Sequence, residues 1–240
     1  MFPLRINKFL AEAGHCSRRE ADRLIETKKV TINGKKAQLG DKVTAKDKVK
    51  VNGKNVELKE KKKLYIAFHK PFGVISTTDP NTDNNLVNFF DLDTRLYPIG
   101  SLDVETSGLL LLTNDGDTMN KIAKAKQRHE KEYMVTVDKP LTGEMMKKLE
   151  KGVFIMSRKT LPSKVIKISP TQFRITIIQD MNRQVRSMCE AVGYTVKILK
   201  LMRIMNIHIG ELARGKWRLL TEEETRSVMD LTKNLHTSIK

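Results

Sequence analysis

The sequence predicts an α+β chain in two parts, a small basic α/β domain over residues 1–60 and a larger mixed α+β domain over 61–240. Three observations carry this. Apolar residues near the start change from helical spacing to alternation within 60 residues. Strand-like and helix-like segments then alternate from Leu64 onward. Charge is also uneven: residues 1–63 hold 18 Lys+Arg against 8 Asp+Glu, more than half of the net +17.

In the first part Ile6, Phe9, Leu10 and Ala13 form a helical stripe that ends at Gly14, a residue suited to a helix C-terminus. Ser17 stands three residues before Glu20 as in a capping box, and Ala21, Leu24 and Ile25 give the second helix its apolar face. Val30 and Ile32 alternate before Asn33-Gly34, and Val49 and Val51 before Asn52-Gly53, each pair a hairpin-turn signal. The Lys-rich stretch 59–63 predicts a solvated connector. Beyond it, strands are expected at Leu64–Phe68, Gly73–Thr77, Gly108–Thr113, Tyr133–Val137, Lys164–Ile168 and Phe173–Ile178. Helices are expected at Thr118–Lys126, Thr142–Lys151, Arg183–Val192 and Glu222–Leu235, and an exposed loop at Asp79–Asn85.

Composition narrows the function classes. With 240 residues the chain has room for a catalytic core. Its positive charge points to a polyanionic partner, with nucleic acid ahead of membrane. No apolar run reaches the roughly 18 residues of a spanning helix, and Met1–Arg5 is too short for a signal peptide, so a cytoplasmic protein is expected. Cys16 and Cys189 lie far apart without CxxC spacing or a histidine cluster; neither disulfide nor zinc is expected, and both read as buried small apolar residues. The lack of Walker, dinucleotide and Gly-x-Ser-x-Gly motifs leaves ordinary acids, bases and nucleophiles, with no cofactor and no metal.

Arg19 and Arg23 lie four apart on the second helix, near Arg18 and Lys28, so several cations share one face. Such a face either grips phosphates or is merely solvated. The order of segments, Ile6–Ala13, then Cys16-Ser-Arg-Arg-Glu-Ala-Asp, then Val30-Thr-Ile-Asn-Gly-Lys, resembles the small S-four RNA-binding domain. That resemblance implies docking on structured RNA through shape and backbone contacts.

Polar residues 101–107 interrupt two apolar segments in Leu96-Tyr-Pro-Ile-Gly-Ser-Leu-Asp-Val-Glu-Thr-Ser-Gly-Leu-Leu-Leu-Leu-Thr. By itself Asp103, between Gly100 and Gly108, is more often a turn residue than a catalytic one. The segment resembles the catalytic motif of the pseudouridine synthases of the RsuA/RluF group, Gly-Arg-Leu-Asp-x-x-(Thr/Ser)-x-Gly-Leu, with Asp103 at the essential aspartate. Lys70-Pro-Phe-Gly, Lys131-Glu-Tyr-Met-Val, Asn182-Arg-Gln-Val-Arg and Gly215-Lys-Trp-Arg-Leu-Leu-Thr follow the family's order, and Lys131-Glu-Tyr with Met205-Asn is closest to the RluF branch.

The resemblance implies a mixed, mainly antiparallel sheet with flanking helices, isomerising a uridine of structured RNA to pseudouridine. Asp103 would either attack the anomeric carbon or take a proton from the sugar. Arg186 would keep it ionised through charge pairing and two hydrogen bonds. Tyr133 would stack on the flipped base. The plain alternatives are a core tyrosine and, for Arg183 and Arg186, first-turn surface residues. Lys70, Pro71 and Gly73 receive structural roles, and Trp217 a place in the core.

The chain departs from the pattern at Ser101, where the family has arginine, and at Asp180 and Ser187, where it commonly has Gly and Arg. RNA contacts are assigned to Arg18, Arg19, Arg23, Lys28, Ser101 and Arg183. The resemblance implies ribosomal RNA as partner, most of all that of the large subunit, with transfer RNA as a second candidate, and a monomer is expected. The competing reading is an RNA-binding ribosome-assembly factor whose synthase activity is weak or lost because Ser101 replaces the arginine.

Overall fold

The computed structural model describes residues 2–58, 62–79, 82–92, 94–124, 129–179 and 181–233. The chain forms two compact units, Met1–Lys62 and Lys63–Lys240. Residues 59–61 of the expected connector, residues 80 and 81 of the expected loop, Asp180, and the ends of the helices expected to reach Lys126 and Leu235 lie outside the described residues.

In the first unit strand β1 (Leu4–Arg5) leads into helices α1 (Ile6–Glu12) and α2 (Arg18–Glu26). Gly14 takes a left-handed φ of 77° just past the first helix, as a C-terminal glycine should. The Ser17 hydroxyl accepts from the Glu20 N–H at 3.1 Å. Strands β2 (Val30–Ile32), β3 (Lys35–Lys36), β4 (Lys42–Val43), β5 (Val49–Val51) and β6 (Lys54–Val56) follow. The order β3-β2-β5-β6 makes one antiparallel sheet, while β4 pairs with β1. Asn33-Gly34 and Asn52-Gly53 make the two hairpin turns with all four φ angles positive. Ile6, Phe9, Leu10, Ala21, Ile25 and the valines of β2 and β5 close this unit's core.

The second unit contains β7 (Tyr65–Lys70), a short 3-10 turn (Val87–Phe89), β8 (Tyr97–Ile99), β9 (Thr106–Thr113), α3 (Gly116–Lys124), β10 (Lys131–Val137) and α4 (Gly143–Lys151). Next come β11 (Phe154–Ile155), β12 (Arg158–Lys159), β13 (Lys164–Ser169), β14 (Gln172–Ile177), α5 (Gln184–Ala191), β15 (Val196–Ile204), β16 (Ile207–His208), β17 (Trp217–Leu219) and α6 (Glu222–Lys233). Among the described residues nine strands form one sheet in the order β13-β14-β10-β15-β9-β7-β17, with β16 on β15 and β8 on β9. Only the β15–β9 ladder is parallel among the pairings of this sheet. This is the mixed, mainly antiparallel architecture expected.

Every residue of β7 and β9 is buried. Leu109 and Leu111 face one core with Tyr133, Val135, Phe173 and Leu201, while Leu110 and Leu112 face a second with Ile66, Phe68 and Leu96. Burial on both faces explains the unbroken run Leu109-Leu-Leu-Leu, since alternation appears only where one face meets water. Trp217 is partly buried against the second core, its ring 6.1 Å from Phe90. Cys189 is buried, which pushes its thiol up to about 12, whereas Cys16, expected to be buried, is half-exposed.

Two differences shape the site. The stretch Gly73–Thr77, expected as a strand, is irregular, because Gly73 sits at φ 84° and the chain turns back on itself. The central strand β15 carries no expectation at all. Lys197 and Ile198 are both exposed where its ladder to β10 shifts register, so its apolar residues lose a period of two. The expected Asp79–Asn85 loop is tied down by Asn85, which is buried and donates to the carbonyls of Asp79 and Thr82.

Candidate active site

Asp103 lies in the irregular segment between β8 and β9, where the chain must turn sharply to re-enter the sheet. The turn is closed by the Thr106 N–H donating to the Asp103 carbonyl at 3.1 Å. Two residues later Gly108 sits at φ 117°, opposite Leu201 in the parallel β9–β15 ladder. A Cβ at Gly108 would overlap the Leu201 backbone, so only glycine lets the strand follow the aspartate at that spacing.

The turn after β7 braces this segment. The Gly73 N–H donates to the Val104 carbonyl at 2.8 Å, and the Ser76 hydroxyl donates to the Leu102 carbonyl at 2.7 Å. Lys70, fully buried, donates from Nζ to the carbonyls of Pro71 and Val74 and so holds the bracing turn in shape. Burial pulls its amine down to about 8, while the neighbouring Asp103 carboxylate works in the opposite direction. Lys70, given only a structural role from sequence, is thus a buried cation in the electrostatic reach of Asp103.

Asp103, Ser101, Thr106, Tyr133 and Arg183 line one cleft of about 450 Å3, together with Leu102, Ile177, Met181, Asn182, Gln184, Val185 and Leu199. That is within the roughly 300–1,000 Å3 of small-molecule sites. Tyr133 is 8% exposed and sits at a register shift between Glu132 and Tyr133, a bulge that re-aims side chains toward a site. Ser101 is exposed at the rim. Two of the lining residues each carry an oxygen, Asp103 Oδ1 and Thr106 Oγ1, that is buried without a hydrogen-bond partner. Buried orphan oxygens carry a desolvation cost that a polar ligand relieves.

Arg186 is not placed as the sequence suggested. It is buried at the back of the loop, where Nη2 donates to the Glu105 carbonyl at 2.8 Å and Nη1 to the Val196 carbonyl at 3.2 Å. No hydrogen bond joins Arg186 to Asp103; its two terminal nitrogens instead tie the loop to β15, and its buried Nε has no hydrogen-bond partner. Arg183, unlike Arg186, is among the residues that line the cleft. It caps α5 in the left-handed region and pairs with the Glu105 carboxylate at 2.7 Å. Its hydrogen bond to Glu105, and more weakly the Asp103 charge, raise its pKa, and the same bond holds the Glu105 carboxyl below its usual range.

In the first unit Arg18, Arg19, Arg23 and Lys28 are all exposed. Arg23 lies 3.5 Å from Glu20 on the same helix, and Lys28 follows the helix at φ 58°. Among the described residues no group of three or more His, Cys, Asp or Glu could hold a metal ion, and no helix is long and apolar enough to cross a membrane.

With this geometry, an aspartate cleft framed by β9, β10 and α5, the family model for RNA pseudouridylate synthases matches residues 64–191. The chain belongs to that family. An S4 domain model matches residues 4–49 of the synthase. The synthase is 47% identical over 238 residues to the dual-specificity RNA pseudouridine synthase RluF of Escherichia coli strain K12, covering 99% of this chain and 82% of that protein. It is 39% identical to the ribosomal large subunit pseudouridine synthase B of Bacillus subtilis strain 168, over 95% of this chain and 96% of the other. A crystal structure of a pseudouridylate synthase superposes with a TM-score of 0.65 at 28% identity, covering 95% of this chain and 99% of that one.

Proposed function

We propose that the synthase converts a uridine of ribosomal RNA, in the large subunit, to pseudouridine, and that it also accepts transfer RNA. The membership of the family supports uridine isomerisation. The ribosomal assignment leans on the relative named for the large ribosomal subunit, and the second substrate on the relatives named as dual-specificity enzymes.

The observation that carries the site assignment is that Asp103 lines the cleft with its Oδ1 buried and without a hydrogen-bond partner. Isomerisation breaks the bond from ribose to a ring nitrogen, turns the base, and forms a bond to a ring carbon, which then loses its proton while the freed nitrogen takes one up. An ionised carboxylate serves either as nucleophile at the anomeric carbon or as base on the sugar, and both routes regenerate it. Lys70 and Arg183 supply positive charge toward it. Tyr133 offers its ring as a stacking surface for the extruded base. Arg186 acts as a positioning residue, holding the Glu105 peptide two residues from Asp103.

The exposed cations Arg18, Arg19, Arg23 and Lys28 would bind phosphates, as would Arg183 and Ser101 at the cleft rim. Asp180, one of the departures from the family pattern, lies outside the described residues. Mapping pseudouridines in ribosomal and transfer RNA from cells with and without the protein tests the proposal. Asp103→Asn should abolish the new pseudouridines while leaving RNA affinity within a few fold. Binding of RNA by the parent without any pseudouridine formed would favour the assembly-factor reading instead, with Ser101 too short to replace an arginine.

A further inference from the structure

The hairpin β11–β12 stands outside the main sheet, and like the β15–β16 turn, where Met205 has φ 53°, it places a methionine in the left-handed region. Its two central residues, Met156 and Ser157, both take positive φ, 46° and 62°. Asn-Gly is what such a turn favours, and the first unit uses Asn-Gly twice; a methionine there holds a strained backbone. The hairpin also carries Phe154 at 71% exposure, the most exposed large apolar residue among those described, and Met156 at 58%. Arg158 and Lys159 follow, both exposed.

The hairpin is firmly seated. Ile155 is 6% exposed within the main core, and β11 packs against α5. Thr160 closes the base, its N–H donating to the Val153 carbonyl while its hydroxyl accepts from the Val153 N–H. The Leu161 N–H donates to Gln179 Oε1, two residues before the cleft-lining segment that begins at Met181. Phe154 is the direct cross-strand partner of Lys159, so aromatic ring and ammonium stand on one face.

We propose that this hairpin is a second RNA-contact surface, on which Phe154 and Met156 receive an unpaired nucleobase near the target uridine while Lys159 holds its phosphate. Base stacking on an aromatic face beside a cation is the chemistry of single-stranded RNA binding. An exposed phenylalanine flanked by basic residues on a chain of net charge +17 suits a polyanion better than an apolar protein face. The turn's strain then has a use: it presents Met156 to a ligand. The inference rests on the proposed action on RNA.

The test uses the full chain with a large-subunit ribosomal RNA transcript, measuring affinity across salt concentrations, pseudouridine formation and solution mass. Phe154→Ser with Met156→Ser should weaken affinity about fivefold or more, and Phe154→Tyr should retain it. Lys159→Ala should lower the salt slope by about one. Met156→Asn with Ser157→Gly should raise the melting temperature while weakening RNA binding.

Affinity and salt slope unchanged in these variants, with the parent still forming pseudouridine, would overturn the hairpin's role alone. A parent that self-associates through the hairpin, losing this in Phe154→Ser without loss of RNA affinity, would assign the face to a second copy and overturn the proposal. A parent that neither binds nor modifies the RNA would overturn both the hairpin's role and the proposed function.

Discussion

Ser76 closes on both polar groups of Leu102, its hydroxyl donating to the carbonyl at 2.7 Å and accepting from the N–H at 3.1 Å. Leu102 directly precedes Asp103 and its carbonyl belongs to the peptide that joins them, so the serine fixes where the aspartate's main chain lies. With Gly73 bonded to Val104 on the other side, the segment is held both before and after Asp103.

Ser76→Ala should therefore lower kcat by about tenfold to a hundredfold, the scale on which a misplaced catalytic group costs rate. RNA affinity should stay within a few fold, since the serine does not line the cleft. Ser76→Thr retains a hydroxyl and should recover most of the rate. A lower melting temperature with kcat unchanged would assign Ser76 to stability alone.

Lys70 gives a pH dependence whose sign is fixed by burial. Its amine titrates at about 8 in the folded chain against 10.5 as an ordinary lysine. Between those values the unfolded chain binds more protons, so the Lys70 contribution makes folding stability rise with pH through that window. Unfolding of the second unit by urea at either end of the window should show the rise, and Lys70→Met should remove it. An equal rise in the variant would place the titrating group elsewhere.

Much of the fold was legible because local signals agreed. The Ser17 cap and the Asn33-Gly34 and Asn52-Gly53 turns are made within a few residues, and the structure forms each one. β15 was invisible because its residues are set by two neighbours and a register shift, which no short window contains. The site divides in the same way. Asp103 and Tyr133 could be found from motif order, and they do line one cleft. The Ser76 brace, the two orphan oxygens and the orientation of Arg186 depend on segments brought together across the sheet. Sequence order places Arg186 near Asp103, but not which carbonyls its guanidinium reaches.

The basic helix of the first unit makes a separate prediction. Arg19 and Arg23 are exposed, and the Arg23–Glu20 pair at 3.5 Å is solvated enough to contribute little to stability. Arg19→Ala with Arg23→Ala should weaken binding to structured RNA and lower the salt slope by about one to two, leaving the melting temperature nearly unchanged. An unaltered slope would put the phosphate contacts on other surfaces.

Asp115 should govern the acid limb of stability in the second unit. It caps α3, with Oδ1 accepting from the N–H groups of Asp117 and Thr118, and it pairs with Lys63 at 2.8 Å. Burial by itself would raise its pKa, but the hydrogen bonds from Lys63 and Thr118 outweigh that and bring the carboxyl down to about 2. A folded value below the ordinary 3.8 means the contribution is complete above 3.8 and is lost as pH falls through about 2. Asp115→Asn can keep the cap but not the charge pair. The variant should be less stable at neutral pH and should lose less stability than the parent between those two pH values, as followed by urea unfolding. Parallel losses in the two proteins would show that the acid limb belongs to other carboxylates.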